Sequence, residues 1–294
     1  MLLVGAIPDR KFPLSIGEVQ SENGYLIVNN NRFSATQGTG AMISAALTTT
    51  KHLGIDSPHV LIAGDIGDGL GTREIYNYLS ENICKLSPNI LVLHYCQPIM
   101  ALMKRLCHSI KECLPRPEMI ADAGAMYAAK GAGLAKEFDL LTPDPSEIAF
   151  LADPLATHPA YIAEHLFSCE PYKIPEQIVE AYKNDSAATY LLVKGETDYV
   201  ARDGKIIYTI NEPDVPTLEA IGGTGDTITG LVSAFLCAGF KPHHASFLAT
   251  KTNRMAGKYA KPTPATKVKS IIDYFPTVFT SHLDEWKNNL TKEN

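Results

Sequence analysis

Five consecutive residues, Gly222-Gly223-Thr224-Gly225-Asp226, set three glycines and a threonine directly before a carboxylate, and an apolar run follows as far as Gly239. Glycine has no Cβ, so such a loop can bring its backbone N–H groups close to a ligand. Ile228, Leu231, Val232, Phe235 and Leu236 then recur with helical spacing, which puts those N–H groups at a helix N-terminus, suited to a phosphate or a developing anion. Asp226 would repel a bound phosphate unless a cation or a proton-transfer role offset the repulsion. A base that takes a proton from an attacking hydroxyl fits that requirement. A helix cap would account for Asp226 but not for the glycines before it, and a tight packing turn is the bland reading of the loop. No Lys-Ser/Thr pair follows the glycines, which excludes a Walker A loop.

The elements that must position this loop alternate along the chain. Residues 25–29, 59–63, 89–95, 118–122, 138–142 and 189–194 are short apolar runs bounded by breakers and read as buried strands. Residues 40–54, 72–86 and 98–114 have helical periodicity. Strand then helix, repeated, predicts an α/β fold: a largely parallel sheet with helices on both faces. Asp203-Gly204, flanked by strand-like runs, predicts a β-hairpin over 198–210. No internal repeat and no Gly/Ser/Pro-rich linker divides residues 1–294, so a single domain is expected.

Hydrophobic residues make up 45% and charged residues 20% of the 294, enough for a large core, and the formal net charge is −6. Without a basic cluster, neither nucleic acid nor an anionic membrane surface is an expected partner. No apolar run is long enough to span a bilayer, and the first residues lack a basic leader. The six cysteines include no CxxC pair. They read as reduced, mostly buried thiols of a cytoplasmic protein, and zinc has little support.

Other polar residues sit where ligands gather in open α/β sheets, at the carboxyl ends of strands. Lys194 and Gly195 end one such run, where a cation could meet nucleotide phosphates. Asp122 ends another, and would either face a substrate or cap the following helix. Glu147, three residues after Asp144, would either start a short helix or approach a metal. Asn30, Asn31 and Gln37 belong to a donor-rich stretch that could form a substrate-recognition wall or a plain surface loop. Asp65 and Asp68 could line a cleft or a loop.

"GGTGD" before an apolar helix resembles the anion-hole motif of the ribokinase superfamily. "LLTPDPSEIAFL" (140–151), "LLVKGETDYVARDGK" (191–205), "MIADAGAMY" (119–127) and "RMAGKYAKPTPATKVKSIIDYFP" (254–276) resemble, in order, segments of its NAD(P)H-hydrate dehydratase branch. Residues 24–47 match the shape of that family's first strand, loop and glycine-led helix. The resemblance implies a three-layer ribokinase-like fold and an enzyme that uses ATP or ADP with Mg²⁺ on a small-molecule substrate. It implies Asp226 as catalytic base, Gly222, Gly223, Thr224, Gly225, Lys194 and Gly195 at the nucleotide, and Glu147 near magnesium. Asn30, Asn31, Gln37 and Asp122 are carried beside it as candidate substrate-binding residues, on the reading of their own positions given above. Two family features differ: the "GGS" turn is replaced by Asn29, Asn30 and Asn31, and "GPGLG" by "NILVLHYCQPIM".

Three readings follow. One is phosphorylation of a hydroxyl on hydrated NAD(P)H, with loss of phosphate restoring the cofactor. Another is a kinase for a hydroxymethyl or hydroxyethyl heterocycle of the thiamin-precursor type. The third is a nucleotide-binding regulator without catalysis. Whether the chain forms a homo-oligomer stays open.

Overall fold

A computed structural model describes residues 1–157 and 173–292; Cys169, read above as a thiol, lies outside them. The strands are β1 (Leu2–Ile7), β2 (Ser15–Glu18), β3 (Gln20–Glu22), β4 (Tyr25–Val28), β5 (Asn31–Ser34), β6 (His59–Gly64), β7 (Ile90–His94), β8 (Glu118–Ala121), β9 (Leu140–Leu141), β10 (Tyr190–Val193), β11 (Asp198–Arg202) and β12 (Lys205–Ile210). The main helices of the described residues are α1 (Gly38–Leu53), α2 (Leu70–Leu86), α3 (Met100–Lys111), α4 (Ala123–Gly131), α5 (Pro145–Ala152), α6 (Ile174–Lys183), α7 (Thr224–Cys237) and α8 (Pro242–Ala260).

Nine strands form one sheet in the order β12-β11-β10-β9-β8-β7-β1-β6-β2. From β10 to β6 every pairing is parallel. The β11–β12 hairpin and β2 add antiparallel edges. The hairpin turns at Asp203 and Gly204, both at positive φ (52° and 77°), the backbone that an Asp-Gly hairpin turn requires. Alternate strand residues feed two cores. Leu3, Ile62, Val92, Ile120 and Leu192 pack with α1, α7 and α8, and Val4, Leu61, Leu91, Met119 and Leu191 pack with α2 to α6. This is the expected α/β layering, helices on both faces of a largely parallel sheet.

Three expectations need correction. The run at 25–29 is not a strand of the parallel sheet: β4 lies in a separate antiparallel sheet, ordered β3-β4-β5, whose Leu26, Val28 and Phe33 still bury into the first core. The parallel sheet instead takes β1, a central strand drawn from the apolar first residues, with all six of its residues buried. Finally, Cys84 and Cys113 are joined by a disulfide, tying α2 to the segment after α3, so the thiols are not all reduced; Cys96 and Cys107 are free and buried.

Helices α1 and α7 approach closely because Gly230 has no side chain: a Cβ there would sit 2.1 Å from the Met42 carbonyl oxygen. That contact is backbone and cannot swing away. Gly230→Ala is therefore expected to destabilise the fold by about 1–3 kcal/mol or more, read as a lower midpoint in urea unfolding.

Candidate active site

The parallel strands end in a row of polar side chains. His94 closes β7, Asp122 follows β8, Thr142 follows β9 and Lys194 follows β10, so strand adjacency sets these residues side by side at the carboxyl edge of the sheet. From above, α7 adds Asp226 in its first turn and Thr229 one turn later.

The contacts are continuous. Lys194 Nζ lies 3.0 and 2.9 Å from the two oxygens of Asp122. Thr229 donates its hydroxyl to Asp122 Oδ2 at 2.6 Å and lies 3.1 Å from the Thr142 hydroxyl. His94 Nε2 is 3.1 Å from Asp226 Oδ1 and 3.5 Å from Asp122 Oδ2. The Gly38 N–H, at the start of α1, donates to Asp226 Oδ2 at 2.8 Å. Both carboxylate oxygens of Asp226 are thus held while its side chain keeps 12% exposure and lines a cavity of about 710 Å³.

Burial alone would favour neutral forms here, but the pairs overrule it. For Asp122, burial pushes the pKa up, while Lys194 and then His94 hold it well below the usual carboxylate range. Burial disfavours the Lys194 ammonium, yet Asp122 and Glu147 raise it above its ordinary value. His94 is likewise opposed by burial and pushed up to about 9 by Asp122 and Asp226.

The glycine loop stands over this row. Gly223 has φ 101°, and a Cβ on it would meet Val268, Ala41 and the Gln37 backbone at 3.0–3.3 Å. The position therefore combines left-handed backbone with a close approach that only glycine satisfies. A Cβ on Gly225 would lie 3.7 Å from Lys194 Nζ, which sets the ammonium beside the start of α7. The Thr224 N–H bonds to the Ile221 carbonyl at 3.4 Å and that of Thr227 to Gly223 at 3.0 Å. Among the described residues the Gly225 and Asp226 N–H groups take no backbone acceptor, as expected in a first helical turn. Gly223, Thr224 and Gly225 line the cavity, as do Lys194, Gly195, Asp122 and Glu147; Gly222 is not part of its wall.

Glu147 starts α5 in a capping box. Its Oε2 accepts from the Asp144 N–H at 2.8 Å, and the Asp144 side chain accepts from the Glu147 N–H. Tyr127 donates to Oε1 at 3.0 Å. Burial, with the charges of Asp144 and Asp122, raises Glu147 to about 8. A cation with oxygen ligands would relieve both the burial and the neighbouring charges that raise this carboxyl, and in that respect Glu147 fits Mg²⁺.

The other expected positions fall elsewhere. Asn29 and Asn30 form the β4–β5 turn, both at positive φ, and Asn31 donates to the Ser15 hydroxyl at 3.1 Å. Gln37 precedes α1 and abuts Gly223. Asp65 accepts four hydrogen bonds at the start of α2, and Asp68 pairs with Arg10 at 2.6 Å. Sequence reasoning missed His94 and Tyr95. His94 was hidden inside an apolar run, and its one signal was its place at a strand's carboxyl end. Tyr95 has φ 49°, a strained backbone for an aromatic residue, and its ring lines the cavity. Arg254, also missed, donates to Asp198 at 2.6 Å and to the carbonyls of Gly195, Glu196 and Asn211, stapling the β10–β11 connection and the segment after β12 to α8 at the cavity wall.

The NAD(P)H-hydrate dehydratase family profile matches residues 101–277, which include all of the row but His94. The chain belongs to the NAD(P)H-hydrate dehydratase family. An uncharacterized protein of Methanocaldococcus jannaschii is 38% identical over 242 residues, 82% of this chain and 100% of that one. The ADP-dependent (S)-NAD(P)H-hydrate dehydratase of Nitrosopumilus maritimus is 27% identical over 179 residues, and the match spans 60% of this chain and 55% of that protein. Among solved structures, a ribokinase-like superfamily protein from Enterococcus faecalis has TM-score 0.55 at 13% identity, covering 95% of this chain and 86% of that one. The ADP/ATP-dependent NAD(P)H-hydrate dehydratase from Bacillus subtilis, co-crystallized with ATP/Mg²⁺ and soaked with CoA, has TM-score 0.51 at 19% identity, covering 82% and 87%. The fold of this family member is therefore ribokinase-like.

Within this site the Lys194–Asp122 pair is buried on both sides. Lys194→Met leaves Asp122 without its ammonium partner and is expected to cost about 3–5 kcal/mol of stability, measured by chemical denaturation.

Proposed function

We propose that this chain phosphorylates a hydroxyl of hydrated NAD(P)H with ATP or ADP, and that loss of phosphate then restores the dihydronicotinamide ring. One observation carries the reading: the Asp226 carboxylate is held at the wall of the cavity, in the first turn of a glycine-led helix and close to a buried lysine. Family membership supports the substrate class, and the names of the Nitrosopumilus and Bacillus enzymes support nucleotide use.

In this mechanism Asp226 accepts the proton of the acceptor hydroxyl. The freed oxygen attacks the terminal phosphorus of the nucleotide, a new P–O bond forms, and the bond to the leaving nucleotide breaks with its electron pair staying on the nucleotide. The Gly223–Gly225 backbone and Lys194 stabilise charge on the phosphoryl oxygens in flight, a contribution of about 3–4 kcal/mol for a well-placed donor. Glu147 would hold Mg²⁺, which when bound would supply charge that neutralises the nucleotide phosphates. In the second stage the phosphorylated carbon loses phosphate and the adjacent carbon loses a proton, which regenerates the ring's double bond. A cytoplasmic location is part of this reading, in keeping with small soluble substrates.

A second reading, a kinase that leaves phosphate on a planar heterocycle, is favoured by Tyr95. Its ring is 48% exposed in the segment that replaces the family's glycine-rich loop, and it offers a face for stacking.

Asp226→Asn is expected to lower kcat by about 10²–10⁴-fold with little change in nucleotide affinity. Recovery of the dihydronicotinamide absorbance, together with calorimetric titration of nucleotide, checks both. Retention of full rate by the variant would remove Asp226 as the base, and phosphate retained on the product would select the kinase reading.

A further inference from the structure

His94 is fully buried, with 0% of its side chain exposed, and both ring nitrogens face oxygen. Nδ1 is 3.4 Å from the Thr39 hydroxyl, while Nε2 lies between Asp226 Oδ1 at 3.1 Å and Asp122 Oδ2 at 3.5 Å. The charged and titratable groups around it come from every neighbouring element: Asp122 after β8, Asp226 from α7, and the Tyr95 ring at 4.5 Å, with Lys194 acting through Asp122.

Without a cation between them, the two carboxylates would repel each other where burial limits screening by water. Lys194 fills that role only from one side: it is ion-paired with Asp122, and Asp226 reaches it as a charge without a hydrogen bond. A neutral imidazole carries one N–H and no charge, so it could bond one carboxylate but could not offset two. The imidazolium does both. Burial opposes its charge, and the bonds and charges of Asp122 and Asp226 outweigh that opposition, pushing the ring up to about 9. The proton is therefore held across neutral pH and lost as pH rises through about 9.

We propose that His94 is a positioning residue for the base: as an imidazolium it fixes the Asp226 carboxylate against the Gly38 N–H and offsets the charge of Asp122 beside it, so phosphoryl transfer proceeds only while His94 holds its proton. The proposal rests on the reading of Asp226 as base. It adds to the family pattern a residue from the stretch 89–100, where "GPGLG" is expected and absent.

Two measurements test it separately. Histidine ring NMR across pH needs no substrate, and the His94→Gln variant assigns the signal. The His94 ring is expected to titrate near pH 9 and to move down by about one unit or more in Asp226→Asn, which removes one of its charge partners. Titration at an ordinary histidine value, or no movement in Asp226→Asn, overturns the proposal.

The second measurement is the pH dependence of kcat on hydrated NADH with ATP or ADP and Mg²⁺. Wild type is expected to lose rate on the alkaline side near pH 9. His94→Gln, shown folded by thermal melting, is expected to lose about 10-fold or more at pH 7 and to lack the alkaline limb, with the nucleotide Kd unchanged. A wild-type pH profile in His94→Gln overturns the positioning role. High titration of the ring in a wild type inactive on that substrate supports the His94 clamp and rejects the substrate reading instead.

Discussion

The site depends on placing ionisable side chains at the carboxyl edge of a parallel sheet, where water cannot shield them. Each of His94, Asp122 and Lys194 is expensive to bury alone. They are tolerable together because strand adjacency alternates their charges: ammonium, carboxylate, imidazolium, then the Asp226 carboxylate from the helix above. The row is a consequence of topology. β10, β9, β8 and β7 are neighbours in space, so residues far apart in sequence become a contiguous polar seam. Three helix starts point at it. Asp122 caps α4 through the Ala123 N–H, Gly38 begins α1, and Asp226 sits in the first turn of α7; the positive ends of their dipoles favour carboxylates there.

That seam couples stability to chemistry. Two fixed contacts hold Asp226, which makes it a rotationally defined proton acceptor rather than a mobile surface acid. Glycines keep the surrounding backbone close: Gly223 against α1, and Gly230 against the Met42 carbonyl. Arg254 extends the order along the wall by bonding the β10–β11 connection and the segment after β12 at once. The cavity between these walls is lined by the Gly223–Gly225 loop, Lys194 and Tyr95.

Much of this was legible in sequence. The glycine loop, the helix after it, the hairpin at Asp203-Gly204 and the buried strands announced themselves through backbone chemistry and periodicity. Asp122 and Lys194 could be nominated because strand ends are where open α/β sheets collect ligands. Glu147 was readable as the start of a short helix, and the structure gives it that place, in a capping box with Asp144, together with one on the cavity wall. What stayed hidden depends on partners distant in sequence. β1 looked like an apolar terminus because only its two flanking strands make it central. His94 looked like one polar interruption in a strand, since its meaning lies in two aspartates 28 and 132 residues away. The Cys84–Cys113 bond links α2 to the segment after α3, a proximity no spacing rule encodes.

The most direct test of the central claim is a crystal structure with a non-transferable nucleotide analogue, Mg²⁺ and a hydroxyl-bearing acceptor. The account predicts the terminal phosphate at the Gly223–Gly225 backbone near Lys194, and the acceptor hydroxyl within hydrogen-bond reach of Asp226, which is still held by His94 and Gly38. Phosphates bound away from the start of α7, or an acceptor that Asp226 cannot reach, would contradict it.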